Sequence, residues 1–460
     1  MMLPFLYFKS GIIDPWFNLF IFLSIYNIIL FTNNPSGKKE KMYAVFAGVF
    51  LGLAVLTKGP AALVITALTL LAVLIRTKNI RLFYSKTFIL FSLTGIFVSF
   101  SWFLFEWLSG NGHVIKEFID YQVQLFNTGE SGHDGPFFYH AVVLLLGCFP
   151  ASIIFIAGYK LKNHLTPFQL LFRKFMICLF WVVLILFSIV KTKIVHYSSL
   201  CYFPVTFISA LAIVDYLNVI KFSALLRILY WIIAVLISSA FILVTFINQF
   251  KEKLIQSDLI KDDFAKENLR AEVTWSGYEF MLGIIFLVGA YLIYRAIIKQ
   301  NIKWIYAGLL TTMLFIYMAV LVIIPKVEGY TQNAAIQFYK YCANTKCYVE
   351  THSFKSYAYL FYSNRMPEDY KNAEQIKEIE NFIVTAVKMG NKRHTSYASG
   401  NCYWMKHGNV DRNVFIVAKK NEESEMIQNK EFKKLFDKNG FSFFIRIPPK
   451  TSESLNSKNN

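Results

Sequence analysis

Gly132-His133-Asp134-Gly135-Pro136-Phe137-Phe138-Tyr139-His140 closes a polar stretch that begins at Glu106 and separates two long apolar runs. This stretch holds most of the ionisable residues found between apolar runs in the first half of the chain. A simple link between two membrane helices could be far shorter. We therefore interpret 106–140 as the wall of a functional site, and the other short polar loops as parts that face this site.

The composition indicates a membrane protein. The chain has 460 residues, of which 55% are hydrophobic and 17% charged, and its mean hydropathy is +0.44. Soluble domains carry roughly 25% charged residues. The net charge of +18 does not indicate nucleic-acid binding, because Lys and Arg fall mainly in short loops and in the tail, as topology signals do.

About ten apolar runs of 15 to 23 residues are candidate spanning helices, each of which needs roughly 17–25 residues to cross a bilayer. The runs are 15–32, 43–57, 61–76, 88–107, 137–159, 174–191, 197–216, 226–247, 279–297 and 303–324. The sequence therefore predicts an α-helical polytopic membrane protein.

The loops between these runs separate by charge. One alternating set is rich in Lys and Arg, as at 38–41 and 76–86, and basic residues in short loops mark the cytoplasmic side. The other set contains Asp14, Lys58, the loop 108–136, 191–196 and 248–278, followed by the tail. Every candidate functional loop is thus predicted on the outer side.

Three regions are predicted: a membrane domain over 1–325, an outward α/β domain over 326–450, and a disordered tail over 451–460. Within the α/β domain the patterns predict helices at 334–342 and 422–438 and strands at 347–352, 357–362, 414–419 and 441–447. The charged segment 248–278 is predicted as a surface amphipathic helix or, equally, as a solvated connector.

Two single residues beside the apolar runs could carry chemistry. Asp14 precedes Pro15 at the start of a run, and an acid at the membrane interface is a functional candidate. The same pair could simply cap a helix. Lys58, in the corner Thr57-Lys58-Gly59-Pro60, could bind a phosphate, or it could extend to lipid headgroups as lysines near helix ends do.

The turn Lys191-Thr192-Lys193-Ile194-Val195-His196-Tyr197 places two lysines on the outer side, against the general charge pattern. An anionic ligand such as a phosphorylated lipid would explain Lys191 and Lys193.

The end of the 106–140 stretch contains further candidates. His133 and Asp134 could bind a divalent metal, or His133 could be a hydrogen-bonded loop histidine. Phe137, Phe138 and Tyr139 could line a groove for a lipid or sugar, or they could form an interfacial aromatic belt.

The cysteines divide evenly between the apolar runs and the tail. Cys148, Cys178 and Cys201 lie in or beside apolar runs and are interpreted as small core residues. Cys342, Cys347 and Cys402 lie in the tail, where a disulfide is possible if the compartment is oxidising.

The order of these motifs resembles the polyprenyl-phosphate-dependent GT-C glycosyltransferases, in particular the aminoarabinose transferase that modifies lipid A and related members of the protein mannosyltransferase family. The resemblance rests on Asp14-Pro15, Leu56-Thr57-Lys58-Gly59-Pro60, the 132–139 motif, and Lys191-Thr192-Lys193 followed by Tyr197 and Pro204. It covers roughly 1–215 by motif, and the outward α/β domain extends it by architecture.

This resemblance implies a GT-C-like fold and an inverting transfer of a sugar from a polyprenyl-phosphate donor to a lipid, such as lipid A, or to a protein acceptor. It implies Asp14 as a catalytic carboxylate, at the second acidic position of the family pattern. It also implies Lys58, Lys191, Lys193 and Tyr197 as ligands of the donor lipid phosphate. It further implies His133 in a divalent metal site. The protein would lie in a bacterial inner membrane with its C-terminal domain in the periplasm.

One departure from the family pattern affects the expected activity. Members begin with a span and a long outer loop that bears an Asp-Glu pair, whereas this chain starts Met1-Met2-Leu3-Pro4-Phe5. We therefore expect a shortened chain, one half of a split enzyme that needs a partner fragment, or an inactive remnant. The alternative function is a non-catalytic lipid-binding protein or a transporter, although we find no repeat of the kind common in transporters.

Overall fold

The structure is a computed structural model, and it describes residues 1–33, 38–78, 85–127, 135–161, 165–214, 222–354, 356–366, 373–388 and 397–448. The chain divides into two units. The first comprises Met1–Ala240 and Leu282–Tyr317, and the second comprises Phe241–Met281 and Met318–Asn460. The second unit thus includes 241–281 as well as the tail.

Helices dominate the region before the tail. They are α1 Met2–Lys9, α2 Asp14–Asn33, α3 Lys38–Lys58, α4 Ala61–Thr77, α5 Lys86–Leu108, α6 Gly112–Asn127, α7 Tyr139–Gly147, α8 Ala151–Gly158, α9 Pro167–Ile189, α10 Tyr202–Val214, α11 Ala224–Thr245, α12 Ile247–Gln256, α13 Asp263–Leu269, α14 Met281–Ile298 and α15 Ile302–Thr331. A 3-10 helix, Val195–Cys201, precedes α10 directly.

Eight helical segments in the described part of the chain are long and apolar enough to cross a membrane, and α4 adds a shorter apolar helix of 17 residues. The prediction of a polytopic helical protein is confirmed. One predicted span is not a single straight helix: 137–159 contains α7 and α8, and the chain bends by 108° between them. The break falls at Cys148-Phe149-Pro150, where proline lacks the amide that a continuing helix would need.

Helices α3 and α5 pack closely because glycine lies at their contact. A Cβ added at Gly48 would lie 2.6 Å from the Phe91 carbonyl oxygen, and one added at Gly52 would lie 2.5 Å from Val98 Cβ. The spacing of four residues puts both glycines on one helix face, the small-residue pattern of membrane helix pairs.

The stretch 106–140, read from sequence as a polar loop, contains helix α6. Its acids Glu117 and Asp120 are exposed, whereas Phe118 packs against Trp102 and Phe103 at ring-centroid distances of 6.1 and 5.6 Å. Phe118 of α6 therefore packs against α5, whereas the two acids lie at the exposed side of the helix.

The second unit contains a four-stranded sheet with strand order β1-β2-β4-β3. Its strands are β1 Cys347–His352, β2 Asn413–Lys419, β3 Phe432–Lys438 and β4 Phe441–Arg446, and its helices are α16 Asn333–Cys342, α17 Ala358–Tyr362, α18 Ala373–Lys388, α19 Tyr397–His407 and α20 Ser424–Gln428, with a 3-10 turn at Lys420–Glu422. Strands β1 and β2 are parallel, and β4 runs antiparallel to both β2 and β3.

The small α/β domain is thus confirmed, with corrections inside it. The predicted strand at 357–362 is helix α17, and the predicted helix at 422–438 is a 3-10 turn, the short helix α20 and strand β3. The segment 248–278 contains two short helices, α12 and α13. The predicted domain boundary at 325/326 lies inside α15, which continues through Pro325, and the predicted tail 451–460 lies outside the described residues.

All six cysteines are free thiols in the structure. Cys347 accepts hydrogen bonds on its sulfur from Arg365 Nη2 at 3.0 Å, and Thr345 Oγ1 lies 3.2 Å away. A hydrogen bond from the Cys342 thiol is the largest cause that lowers the pKa of Cys347. The disulfide predicted as possible in the tail is not formed in this structure.

A buried ion pair ties the end of α15 to the segment before α14. The carboxylate of Glu279, whose side chain is 4% exposed, lies 2.9 Å from Lys326 Nζ and accepts from Ser276 and from the Gly277 amide. Burial alone would raise the pKa of Glu279, but Lys326 and the other donors outweigh it and lower the pKa to about 2.

This ion pair predicts a loss of stability in acid. Because the pKa of Glu279 is lower in the folded state than its ordinary value of 4.5, its contribution is complete above pH 4.5 and is lost as the pH falls towards about 2. Glu279→Gln should flatten the decrease of the unfolding temperature across this window. The exposed carboxylate of Glu272 supplies the control, and an equal flattening by Glu272→Gln would contradict the assignment.

Candidate functional site

A tight corner holds Lys58 at the end of α3. Gly59 adopts a φ of 78°, which glycine tolerates, and its amide donates to the Val55 carbonyl at 2.7 Å, so the helix ends there. Pro60 then precedes the first residue of α4. This geometry fixes the backbone of Lys58 next to the start of the neighbouring helix α2.

Asp14, the first residue of α2, is the ion-pair partner of Lys58. Its carboxylate accepts a hydrogen bond from Lys58 Nζ and lies 3.8 Å from His196 Nε2. The side chain of Asp14 is 10% exposed, whereas that of Lys58 is 34% exposed. The acid is therefore enclosed, and the cation is accessible.

A cavity of about 490 Å³ surrounds this pair. Asp14 is the one carboxylate and Lys58 the one lysine among its described lining residues. Those residues are Asp14, Phe17, Asn18, Leu56, Thr57, Lys58, Gly59, Ala61, Ile65, Phe118, Phe187, His196, Tyr197 and Leu200. The Lys58 ammonium also lies 5.3 Å from the ring centre of Tyr197 and 5.9 Å from that of Phe17. The cavity thus combines one accessible cation with mostly apolar and aromatic walls.

Asn18 lines the cavity and hydrogen-bonds to two neighbouring elements. It lies one helical turn after Asp14, and its Nδ2 donates to Tyr7 Oη and to Ser199 Oγ, both at 2.7 Å. Ser199 Oγ in turn donates to the His196 carbonyl. Since these groups belong to α1, α2 and the 3-10 helix, Asn18 fixes the position of His196 relative to Asp14.

Lys193 is directed away from the cavity. It is 6% exposed, and its ammonium donates to the carbonyls of Phe187 at 3.1 Å, Ser188 at 2.7 Å and Val190 at 2.6 Å. These carbonyls belong to the C-terminal end of α9, where a positive charge is favourable. All three ammonium protons are therefore used within the protein.

Among the described residues, the cavity lining does not include Lys191, Phe137, Phe138 or Tyr139. Lys191 is exposed, and Phe137 and Phe138 are 64% and 62% exposed. Tyr139 contacts the buried ring of His140 at a centroid distance of 5.1 Å. His133 and Asp134 lie outside the described residues.

The described residues do not fit a divalent metal. They contain no group of three or more His, Cys, Asp or Glu side chains with suitable geometry. Asp14 and His196 are close together, but the ammonium of Lys58 occupies the carboxylate, and a second cation there would be repelled. The metal prediction rests on His133.

Sequence reasoning missed several residues of the cavity. Asn18 could have been found, because an amide inside an apolar run is a polar group in lipid and usually has a partner. His196 was noted only as part of a turn. Phe118 carried no signal, since its stretch was read as a loop rather than as a helix.

A separate apolar groove of about 740 Å³ lies beside α9. Phe155, Phe180, Trp181 and Leu184 are among its walls. Leu184 lies one helical turn before Phe187 of the Asp14 cavity, so α9 borders both spaces.

Comparison with known proteins identifies similar sequences. The family model for dolichyl-phosphate-mannose-protein mannosyltransferase matches residues 9–108, which include Asp14 and Lys58. An undecaprenyl phosphate-alpha-4-amino-4-deoxy-L-arabinose arabinosyl transferase of Pectobacterium carotovorum is 23% identical over 229 residues, which are 48% of this chain and 39% of that protein. An uncharacterised protein of Aquifex aeolicus is 30% identical over 44% of this chain and 38% of its own length.

Two solved structures of ArnT from Cupriavidus metallidurans have a similar fold. The form bound to undecaprenyl phosphate gives a TM-score of 0.58 at 12% identity, covering 92% of this chain and 73% of that chain. The apo form gives 0.59 at 12% identity, covering 92% and 72%. This similarity confirms the GT-C-like fold.

The chain thus resembles the polyprenyl-phosphate-dependent GT-C glycosyltransferases, as the motif order predicted, and it is an integral membrane protein. It spans about two fifths of the length of the curated relatives that it matches.

Proposed function

We propose that this protein is a membrane glycosyltransferase that takes a sugar from a polyprenyl-phosphate donor. The observation that carries the proposal is that Asp14, Lys58 and His196 lie together in one cavity of the first unit. The similarity to arabinosyl transferases and to the mannosyltransferase family supports the same activity.

Lys58 is the proposed ligand of the donor phosphate. Its ammonium is accessible while the carboxylate that orients it is enclosed, so an incoming phosphate meets a cation whose position is already fixed. A positioned cation next to a leaving phosphate stabilises the charge that develops as the bond to the sugar breaks. Tyr197 borders the same ammonium, whereas Lys193 has a structural role in this proposal, since its protons are donated to α9.

The reaction needs one proton acceptor. The acceptor hydroxyl attacks the anomeric carbon, the bond from that carbon to the phosphate oxygen breaks, and the polyprenyl phosphate leaves with the bonding electrons. The hydroxyl proton passes to a base, and Asp14 is the carboxylate that borders the cavity in the described part of the chain. We therefore propose Asp14 as this base, with His196 at 3.8 Å limiting its orientation.

The apolar groove beside α9 suits the polyprenyl chain. Its walls are largely aliphatic and aromatic, so they can pack against a hydrocarbon chain by van der Waals contact. We propose a lipid acceptor such as lipid A or a protein acceptor, on the outer face of a bacterial inner membrane. The divalent metal at His133, and an acceptor groove at Asp134, Phe137, Phe138 and Tyr139, remain predictions from the sequence.

A non-catalytic lipid-binding protein or a transporter is the rival function. It would use the same cavity to hold a phosphorylated lipid, without breaking a bond. Binding and transfer must therefore be measured separately.

The test uses the full chain in nanodiscs made from bacterial lipids. Binding is measured with undecaprenyl phosphate, and transfer with radiolabelled undecaprenyl-phosphate aminoarabinose and lipid A. We expect both, with transfer lost in Asp14→Asn. Binding without transfer, across both lipid and peptide acceptors and several donor sugars, would favour the rival. Absence of binding would refute the assignment of the cavity.

A further inference from the structure

The second unit contains a cavity of about 340 Å³ that the proposed transfer reaction does not use. Two of its residues, Phe354 and Lys419, lie at or just beyond the carboxyl ends of the parallel strands β1 and β2. Phe441 begins the antiparallel strand β4 and pairs with Lys419 in the sheet. The carboxyl edge of parallel strands is the usual ligand-binding edge of an α/β sheet.

One cation lies at this cavity. Lys419 Nζ stands 5.0 Å from the ring centre of Phe264. Within the described ranges it has no carboxylate partner, whereas its neighbour Lys420 lies 3.8 Å from Asp437. A half-buried lysine that lies over one aromatic ring and lacks an acid can pair with an anion from outside.

Polar atoms at the cavity lack partners. Asn268, which is 9% exposed, lines the cavity, and its Oδ1 accepts no hydrogen bond within the described part of the chain. The hydroxyl of Tyr339, another lining residue, is likewise buried without a partner there. Because a buried polar group without a partner costs free energy, a ligand that supplies hydroxyl groups would be stabilised here.

Aromatic rings form much of the wall. Phe264 and Phe441 meet edge to face at 5.1 Å, and Phe354 lies 5.8 Å from Phe441. Such rings offer apolar faces to the C–H groups of a sugar, while Lys419 and Asn268 offer polar contacts. A volume of about 340 Å³ lies within the range of small-ligand sites.

We propose that this cavity binds an anionic monosaccharide, that is, one sugar ring carrying a phosphate or a carboxylate. Lys419 pairs with the anionic group, Asn268 Oδ1 accepts from a sugar hydroxyl, and Phe264, Phe354 and Phe441 contact the ring. This site is separate from the cavity of Asp14 and Lys58 and does not depend on sugar transfer.

The experiment is calorimetric titration of the full chain in detergent, with no polyprenyl lipid present. The probes are glucose 6-phosphate, glucuronate, glucose and inorganic phosphate. We expect glucose 6-phosphate or glucuronate to bind, and glucose and phosphate to bind at least about tenfold more weakly. The phosphate and carboxylate probes distinguish the two sources of negative charge.

Variants assign the binding to the cavity. Lys419→Met should weaken binding of the anionic sugar at least about tenfold, Lys419→Arg should retain it, and Lys420→Met is the matched control that should leave it unchanged. Because no polyprenyl lipid is present, failure of the transferase proposal would leave this result unchanged. Equal binding of glucose, or of phosphate alone, would overturn the proposal, as would no binding or an unchanged affinity in Lys419→Met.

Discussion

Lys58→Met is expected to lower sugar transfer by about 1,000-fold, because removing one positioned group that stabilises transition-state charge costs a factor of this order. The affinity for undecaprenyl phosphate should fall with it, since the described part of the cavity has no other lysine in its lining. The measurement is the transfer rate together with the dissociation constant of the lipid in nanodiscs. Lys58→Arg should retain most of the binding but not all of the rate, because its planar group has a different shape.

A loss of folding could imitate this result. The carboxylate of Asp14 is enclosed, and removing the partner of a buried charge costs about 3–5 kcal/mol. The double variant Asp14→Asn with Lys58→Met removes both charges and should recover the unfolding temperature. It should still fail to bind the phosphorylated lipid, whereas Asp14→Asn alone should bind it. Normal binding by the double variant would show that Lys58 is not the phosphate ligand.

The helical architecture was predictable because a bilayer demands long apolar segments, and these are visible in any hydropathy pattern. The break between α7 and α8 was not, since hydrophobicity continues through Cys148-Phe149-Pro150. Pro150 itself indicates the break, but the length of the apolar run favours a single helix. A single residue that removes one backbone donor can thus decide whether a run is one helix or two.

The errors in the tail have a different cause. Phe432–Lys438 is charged and was assigned to a helix, yet it forms an edge strand paired with β4. The turn between the two strands is Asn439-Gly440, with φ angles of 50° and 80°, and this dipeptide is a strong hairpin signal. The charged residues of 432–438 favoured a helix in the sequence analysis, whereas Asn439-Gly440 makes the segment one strand of a hairpin.

The candidate site was predictable only in part. Asp14 and Lys58 each had a plausible structural explanation, which for Lys58 was the more plausible one. Only their meeting in space distinguishes a shared cavity from two separate helix ends. The charge pattern of the loops gave part of the answer, because it predicted Asp14 and Lys58 on the same, outer side of the membrane. The direction of a lysine side chain, by contrast, depends on which carbonyls lie within its reach, and for Lys193 no sequence pattern recorded this.

Lys193→Met should destabilise the protein by about 3 kcal/mol, because it removes a charged donor from three carbonyls. Those carbonyls belong to Phe187, Ser188 and Val190, and they would lose their partner in a site where Lys193 is 6% exposed. Gly135 packs against the same side chain, since a Cβ added there would lie 2.9 Å from Lys193 Cγ. The measurement is the midpoint of thermal unfolding in detergent.

Lys191→Met is the matched control, because this lysine lies two residues away and is exposed. It should leave the unfolding midpoint within experimental error, since exposed charges contribute little to stability. The motif order assigned both lysines to the donor phosphate, and the two variants separate that role from a structural one. If Lys193→Met kept its stability and lost affinity for undecaprenyl phosphate, the lysine would be a phosphate ligand. If Lys193→Met lost stability but kept its affinity per folded molecule, the native Lys193 ammonium would act as the C-terminal cap of α9. Lys58 would then be the cation that binds the donor phosphate.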